Sequence, residues 1–458
     1  MLRRSAVLLL LIAGCTPEAT PPPPEDDASR IIAAATADDA AWKKLAELCD
    51  DVGPRLSGSA GLERGIVWAL KTFQDEGHEN VRAERVMVPK WVRGKESCAM
   101  VFPRDHVMSM LGLGGSIGTP AEGITAEVVT VADKAELDRI GDVAKGKIVL
   151  FNYAMPPYDP VKGARYGETV TYRSNGAAWA SEKGAVAALV RSVTAKSLRT
   201  PHTGVMRYDP KFAKIPTAAI TIEDAELLAR LCARGKRPQV KLMMEAKDEG
   251  EAPSANVVAE LVGREKPDEI VIVSGHFDSW DTGQGAHDDG GGCIMAMETL
   301  RILRQLGLRP RRTIRAVLWT NEENGMMGVK TYLKDHASEL EKHVAAIESD
   351  IGAFEPVQFG VDHKDPEVLK RAAAQLAKMV RPLKLKVKSG SSSSDIGNFK
   401  PLGVPALGLD VEGSRYFDLH HTPADTVEKV DRKELARCVA AMAVVAYGIA
   451  EMEERIGK

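Results

Sequence analysis

The sequence predicts an α/β protein built on a mostly parallel sheet with helices on both faces. Three observations predict it. β-Branched, apolar runs at 269–275, 313–320 and 343–349 read as buried strands. Amphipathic stretches at 291–306, 326–337 and 366–379 alternate with them, as crossover helices would. Each run also leads into polar chemistry: His276 closes the first, Glu322 and Glu323 follow the second, and Asp350 follows the third. Open sheets of this kind gather ligands beyond the carboxyl ends of their strands, so the fold and the candidate site support each other.

Length and composition bound the rest. A chain of 458 residues exceeds the usual single domain, and 44% hydrophobic with 27% charged residues suffices for a large soluble core. A net charge of -3 and 5% aromatic residues argue against nucleic-acid partners and against an electrostatic membrane surface. Arg3 and Arg4 precede an apolar run from Ala6 to Ala13, the pattern of an export signal. That run is too short to cross a bilayer, which takes roughly 20 residues. It ends Leu11-Ile12-Ala13-Gly14-Cys15, which resembles a bacterial lipobox with lipid attached to Cys15; a plain secretory signal is the alternative. Residues 1–14 are therefore expected to be a lipoprotein signal peptide and 15–28 a proline-rich, lipid-anchored tether. The expected location is outside the cytoplasm, on the periplasmic or surface side of a membrane. Cys49, Cys98, Cys232, Cys293 and Cys438 show no Cys-x-x-Cys spacing, so no cysteine metal site is expected, and one or two disulfides are open.

Taken in order, 38–50 and 59–76 read as helices, with Ser59 as a cap and a glycine-proline turn at 53–58 between them. Residues 79–102 read as extended strands. From 118 to 247 the pattern becomes short strands, turns and small helices with few clustered His, Asp or Glu, which marks an inserted domain. Residues 29–117 and 248–458 are then the two parts of a split main domain. It closes with short strands at 384–388 and 405–410 and a long helix at 431–455.

The candidate site residues are His276, Asp288, Glu323, Asp350 and His421 as metal ligands. Imidazole and carboxylate suit zinc, and five protein ligands suit two metals if one carboxylate bridges. Glu322, beside a ligand, is the candidate general base for a water made acidic by metal. Paired acids are ordinarily a solvated turn, but these directly follow Ala316-Val317-Leu318-Trp319, which points them into a cleft.

Gly275-His276-x-Asp278-Ser279, Gly285-Ala286-x-Asp288-Asp289, Glu322-Glu323-x-Gly325, Glu348-Ser349-Asp350 and His421-Thr422-x-x-Asp425-Thr426 occur in this order. The set resembles the di-zinc aminopeptidase clan, metallopeptidase family twenty-eight, and within it a carboxypeptidase subfamily that carries an inserted protease-associated domain. The resemblance covers about 50 to 455. It implies the zinc exopeptidase fold and two zinc ions per chain, one on His276 and Asp350, the other on Glu323 and His421, with Asp288 bridging. It further implies Asp278 as the acid orienting His276, small unblocked peptides as substrate, and a homodimer. Asp425 is a weaker candidate for supporting His421, with a simple turn role as the alternative; Ser394 or Asp395 in the Ser391–Asp395 stretch is one for a supporting or substrate contact, and His287 for a polar contact near the bridging site. Two other functions stay open: a one-zinc acyltransferase resembling glutaminyl cyclases, and a catalytically silent surface binding protein.

Overall fold

A computed structural model describes residues 26–390 and 393–458. The expected signal peptide, the lipidated Cys15, most of the tether, and Ser391 with Ser392 lie outside the described residues. The first of two eight-stranded sheets runs Glu79–Val92, Lys247–Leu261, Arg312–Trp319, Lys266–His276, His343–Glu348, Ala406–Val411, Pro356–Asp362, Lys386–Ser389. Its centre is parallel, from Arg312–Trp319 through Lys266–His276 and His343–Glu348 to Ala406–Val411. Antiparallel pairings flank that centre on both sides. The sheet is therefore mixed: four of its seven strand pairings are parallel, the majority that the sequence suggested, and three are antiparallel. The long antiparallel ribbon of Glu79–Val92 with Lys247–Leu261 needs no crossover helix, so helix–strand alternation does not announce it.

Strand alternation divides the core into two layers. Val271 and Val273 face a layer built from helices Asp27–Thr36, Ala60–Asp75, Gly291–Gln305 and Arg432–Glu451. Ile270 and Ile272 face the other, where Tyr332 of helix Met327–Asp335 packs with Trp319 and Phe399. Helices on both faces are as predicted, and Ser59 caps its helix by accepting from the Leu62 N–H at 3.2 Å. Two elements differ from expectation. Strand Pro356–Asp362 was not anticipated, and helix Asp27–Thr36 begins inside the expected tether at 15–28. Its start is local chemistry: the Asp26 carboxylate caps the Ser29 N–H at 2.7 Å, and Asp27 pairs with Arg30.

The second sheet runs His106–Met108, Glu96–Phe102, Gln239–Met244, Ile124–Val131, Ile148–Phe151, Ala187–Arg191, Thr217–Ile220, Met110–Gly112 and has its own apolar clusters. Three of its strands precede Gly118, so by sheet membership the expected boundary at 118 moves back to about residue 95. Glu96–Phe102 follows Glu79–Val92 almost directly and looks like its continuation, but its partner is Gln239–Met244, distant in sequence. Leu56, Trp91 and Trp280 of the first unit join the second sheet's apolar cluster and seal the junction. Gly114 makes this fit possible, because a Cβ there would run into the Trp280 ring.

The five described cysteines are free thiols, four of them buried, so the disulfides left open are absent among the described residues. Among those residues no helix is long and apolar enough to cross a membrane.

A tight backbone approach lies where helix Gly291–Gln305 meets the sheet. A Cβ on Gly292 would press on the Ser349 carbonyl oxygen and the Asp289 carboxylate. Gly292→Ala is expected to lower stability by about 2 kcal/mol, read from the urea midpoint. Gly397→Ala meets nothing within 4 Å and should shift it by less than about 0.5 kcal/mol.

Candidate metal centre

His276 ends the central strand Lys266–His276, and Glu322 and Glu323 follow its neighbour Arg312–Trp319. Asp350 lies just past His343–Glu348, and His421 follows the short helix Tyr416–Leu419. Asp288 comes from the glycine-rich loop between His276 and helix Gly291–Gln305. Asp288, Glu323, Asp350 and His421 line one cleft of about 660 Å³ together with Glu322, and His276 lies behind them against Asp288 and Asp350.

The geometry falls into two groups that share Asp288. His276 Nε2 lies 3.2 Å from Asp288 Oδ1 and 3.1 Å from Asp350 Oδ1. His421 Nε2 lies 3.2 Å from Asp288 Oδ2 and 3.0 Å from Glu323 Oε2. The opposite nitrogen of each ring meets a backbone carbonyl: His276 Nδ1 lies 3.0 Å from the Asp278 oxygen, and His421 Nδ1 lies 3.2 Å from the Thr203 oxygen. A carbonyl only accepts, so a proton on Nδ1 satisfies it in each ring, and in the neutral imidazole Nε2 would then present its lone pair to two carboxylates. That arrangement is repulsive unless a second ring proton or a metal ion lies between them.

His420 stacks on His421 with ring centroids 3.5 Å apart, and its Nε2 is 3.7 Å from Asp288 Oδ2. It reaches one carboxylate where His421 reaches two. The rings of Tyr166, Tyr416 and Phe417 enclose it.

The supporting residues depart from expectation in three places. Asp278 does not hold His276 by its carboxylate, whose Oδ1 is 4.0 Å from Nδ1; the Asp278 backbone carbonyl does so. The carboxylate instead accepts from the Glu322 N–H at 2.9 Å, the Ser57 hydroxyl at 2.9 Å and the Glu323 N–H at 3.4 Å, fixing the turn that carries both acids. Asp425 does not support His421. Its two oxygens accept from the His287 and Asp288 N–H groups at 2.8 and 3.1 Å, and so set the orientation of the Asp288 backbone. His287 turns away from the centre: it stacks on Phe354 at 4.2 Å and accepts from the Ala353 N–H. Of the serine stretch, Ser394 lines the cleft and Asp395 lies buried.

Residues that the pattern did not reveal tie the loops down. Arg55, fully buried, donates to the backbone carbonyls of Gly53, Phe277, Gln284 and Gly285 at 2.8–3.0 Å, stitching both ends of the loop that presents Asp288. The glycine-proline turn at 53–58 hinted at a loop there and nothing more. On the far wall Thr203, from the second sheet's region, donates its N–H to the His421 carbonyl at 3.0 Å and accepts from His421 Nδ1. Thr203 is itself held by Gly112 and by Arg93, which forks onto Asp281 at 2.6 and 2.8 Å.

The electrostatics express the crowding of acids. Burial and repulsion from Asp350 and Glu323 raise the Glu322 carboxyl well above its ordinary range, against the attraction of His276. Burial and Asp350 push Glu348 up to about 8, and burial with Asp288 pushes Asp425 up to about 7. Burial opposes a charge on His421, yet Glu323 and Asp288 raise it to about 9. Burial would also raise Asp288, but hydrogen bonds from His276 and His421 hold it well below the ordinary carboxylate range.

The peptidase family M28 model matches residues 256–446. Carboxypeptidase Q from Mus musculus is 43% identical over 419 residues, covering 91% of this chain and 87% of that protein. The human carboxypeptidase Q is 42% identical over 92% of this chain and 87% of its own length. Among solved structures, a peptidase M28 precursor from Shewanella amazonensis is 36% identical with a TM-score of 0.89, covering 94% of this chain and 97% of that one. A zinc aminopeptidase from Bacillus subtilis, 20% identical with a TM-score of 0.67 over 91% of this chain and 96% of that one, shares the fold.

These shifts fix a pH response for metal-free protein. Glu348 and Asp425 keep protons when folded that they release near pH 4 when unfolded, and His421 keeps its proton up to about 9. From pH 6.5 to 8 the folded state thus binds more protons than the unfolded one, and stability falls as pH rises. A chelator-treated sample should melt at lower temperature at pH 8 than at pH 6.5. Added divalent metal, which replaces those protons, should raise the melting temperature more at pH 8.

Proposed function

This chain belongs to peptidase family M28, and from that premise we propose that it is a di-zinc exopeptidase hydrolysing small unblocked peptides. One observation carries the metal count. Asp288 turns one oxygen to the His276–Asp350 group and the other to the His421–Glu323 group, as a carboxylate bridging two cations would.

Zinc fits these residues. Imidazole nitrogen and carboxylate oxygen are its customary donors. Two imidazole nitrogens face four carboxylate contacts with no other cationic side chain between them, and Glu323 Oε1 is buried without a hydrogen-bond partner. His276 and Asp350 would hold one ion, Glu323 and His421 the other, and Asp288 both. Bound zinc supplies Lewis-acid polarisation of the scissile carbonyl and makes the attacking water easier to deprotonate.

The chain's own groups do the rest. Glu322 lines the cleft, and the raised affinity of its carboxyl for a proton is that of a group able to take one at neutral pH. It removes the proton from the attacking water and delivers it to the nitrogen of the departing amine. Asp278 keeps Glu322 in place by accepting from its backbone N–H, and Thr203 and Asp425 keep His421 and Asp288 in register.

We read the second sheet as the protease-associated insert that the resemblance implies, and its contact with His421 through Thr203 supports a part in shaping the cleft. Export and lipid attachment at Cys15 belong to the same proposal, supported by Arg3, Arg4 and the apolar run that ends at Cys15. Cys15→Ser should move the protein from the membrane fraction to the soluble one on cell fractionation, and unchanged partitioning would remove the anchor.

Glu322→Gln should lower kcat on free dipeptides by at least about a hundredfold while two zinc ions per chain remain, counted by atomic absorption on the same sample. Retained turnover would refute the assignment of the base. An N-terminal glutaminyl peptide belongs in the panel as well: cyclisation with one zinc per chain would favour the acyltransferase reading.

A further inference from the structure

The cleft carries a buried cation that the proposed chemistry does not use. Arg173, on helix Tyr166–Glu182, is 5% exposed and lines the cleft beside the centre. Its Nη1 donates to the Thr203 carbonyl at 3.2 Å and lies 3.3 Å from His421 Nδ1. Its Nε is buried with no partner, and among the described residues the guanidinium forms no ion pair. Arg55 shows how this protein buries an arginine for structure alone, with four backbone carbonyls engaging its donors. Arg173 lies over the Tyr166 ring, 5.6 Å from its centroid, but no anion pairs with it among the described residues, and a buried guanidinium without an anion is costly.

The backbone around Arg173 is shaped to admit it. Gly204 holds a φ of +136°, and a Cβ at that position would collide with the guanidinium. Arg207, three residues further along the same segment, also lines the cleft; it is exposed, and among the described residues its side chain has no partner. Lys330, the third cation of the lining, is already committed to the Gly325 carbonyl at 2.8 Å.

The acids of the lining give the complementary fact. Asp288, Glu322, Glu323 and Asp350 are its carboxylates, and the metal centre and the base account for all four. No further acid among the described lining residues is left for a substrate ammonium, whereas two arginines are left for an anion.

We propose that Arg173, with Arg207 at the rim, binds the free carboxylate of the peptide, so that the cleft reads the C-terminal end of its substrate. Arginine suits this role because its fork matches a carboxylate with two parallel hydrogen bonds. The inference rests on the exopeptidase reading and names the end of the substrate which that site recognises. Both arginines come from the region of the second sheet, which thereby supplies specificity while the first sheet supplies the chemistry.

The test compares a free dipeptide, its C-terminal amide and its N-acetyl form on the wild type and on Arg173→Lys, Arg173→Met and Arg207→Met, with zinc counted in each. The expected wild-type result is preference for both free-carboxylate substrates over the amide. The ratio of kcat/KM for free acid over amide should fall roughly tenfold to a hundredfold in the Met variants, carried by KM, with Arg173→Lys between. Arg207 is exposed, so its variant keeps the test alive if Arg173→Met misfolds. A ratio unchanged in Arg173→Lys and Arg207→Met, both holding two zinc ions, would overturn the proposal. So would an equal fall in kcat on acid and amide, which marks a prop for His421 or a group acting on the reacting carbonyl. A zinc-loaded wild type that cleaves none of the three sinks the exopeptidase reading and this inference with it. A wild type that cleaves acid and amide alike sinks this inference alone.

Discussion

The structure depends on one electrostatic constraint: two histidines are turned so that their Nε2 nitrogens point at carboxylates. His276 Nδ1 faces the Asp278 carbonyl and His421 Nδ1 faces the Thr203 carbonyl, which leaves Nε2 of each ring opposite two acid oxygens. Protons or metal ions must relieve that contact. Protons do so partially, as the raised proton affinities of His276 and His421 record. Metal ions do so without repelling the imidazoles, and they also neutralise the acids packed behind, Glu348 and Asp395 among them.

Holding such a cluster together requires that its loops have nowhere else to go. Arg55 spends its donors on backbone carbonyls of the Asp288 loop, and Asp425 orients the Asp288 backbone from the opposite side. Gly292 and Gly275 let helix Gly291–Gln305 approach the strand ends, where any side chain would meet backbone or the Asp289 carboxylate. The second sheet completes the enclosure: Thr203 fixes His421, and Trp280 is locked into an apolar cluster shared by both sheets. Residues from both sheets' regions thus meet at one cleft.

The ligand set was legible because a strand end is a local event. A β-branched run followed by His276, or by Glu322 and Glu323, announces both its structure and its chemistry within a dozen residues. Supporting roles were less legible. Asp278 and Asp425 were identified as acids that matter, yet the partners first assigned to them were wrong, because a carboxylate two residues from a histidine has backbone N–H groups of other loops within equal reach. Arg55 and Arg173 carried no local signal: an arginine beside a proline turn and another on a small-residue helix read as ordinary surface cations.

The sequence alone determined the alternation of strands and helices, the candidate residues that the structure brings together, and the family, since periodicity and short-range motifs encode all of these. Only the tertiary structure decided that the central sheet is mixed, that the second sheet begins near residue 95, which oxygen of Asp288 serves which histidine, and that a buried arginine waits beside His421. The physical reason is common to them. Strand pairing, imidazole tautomers and buried charge are set by neighbours far apart in the chain, and nothing local in the chain records which neighbours those are.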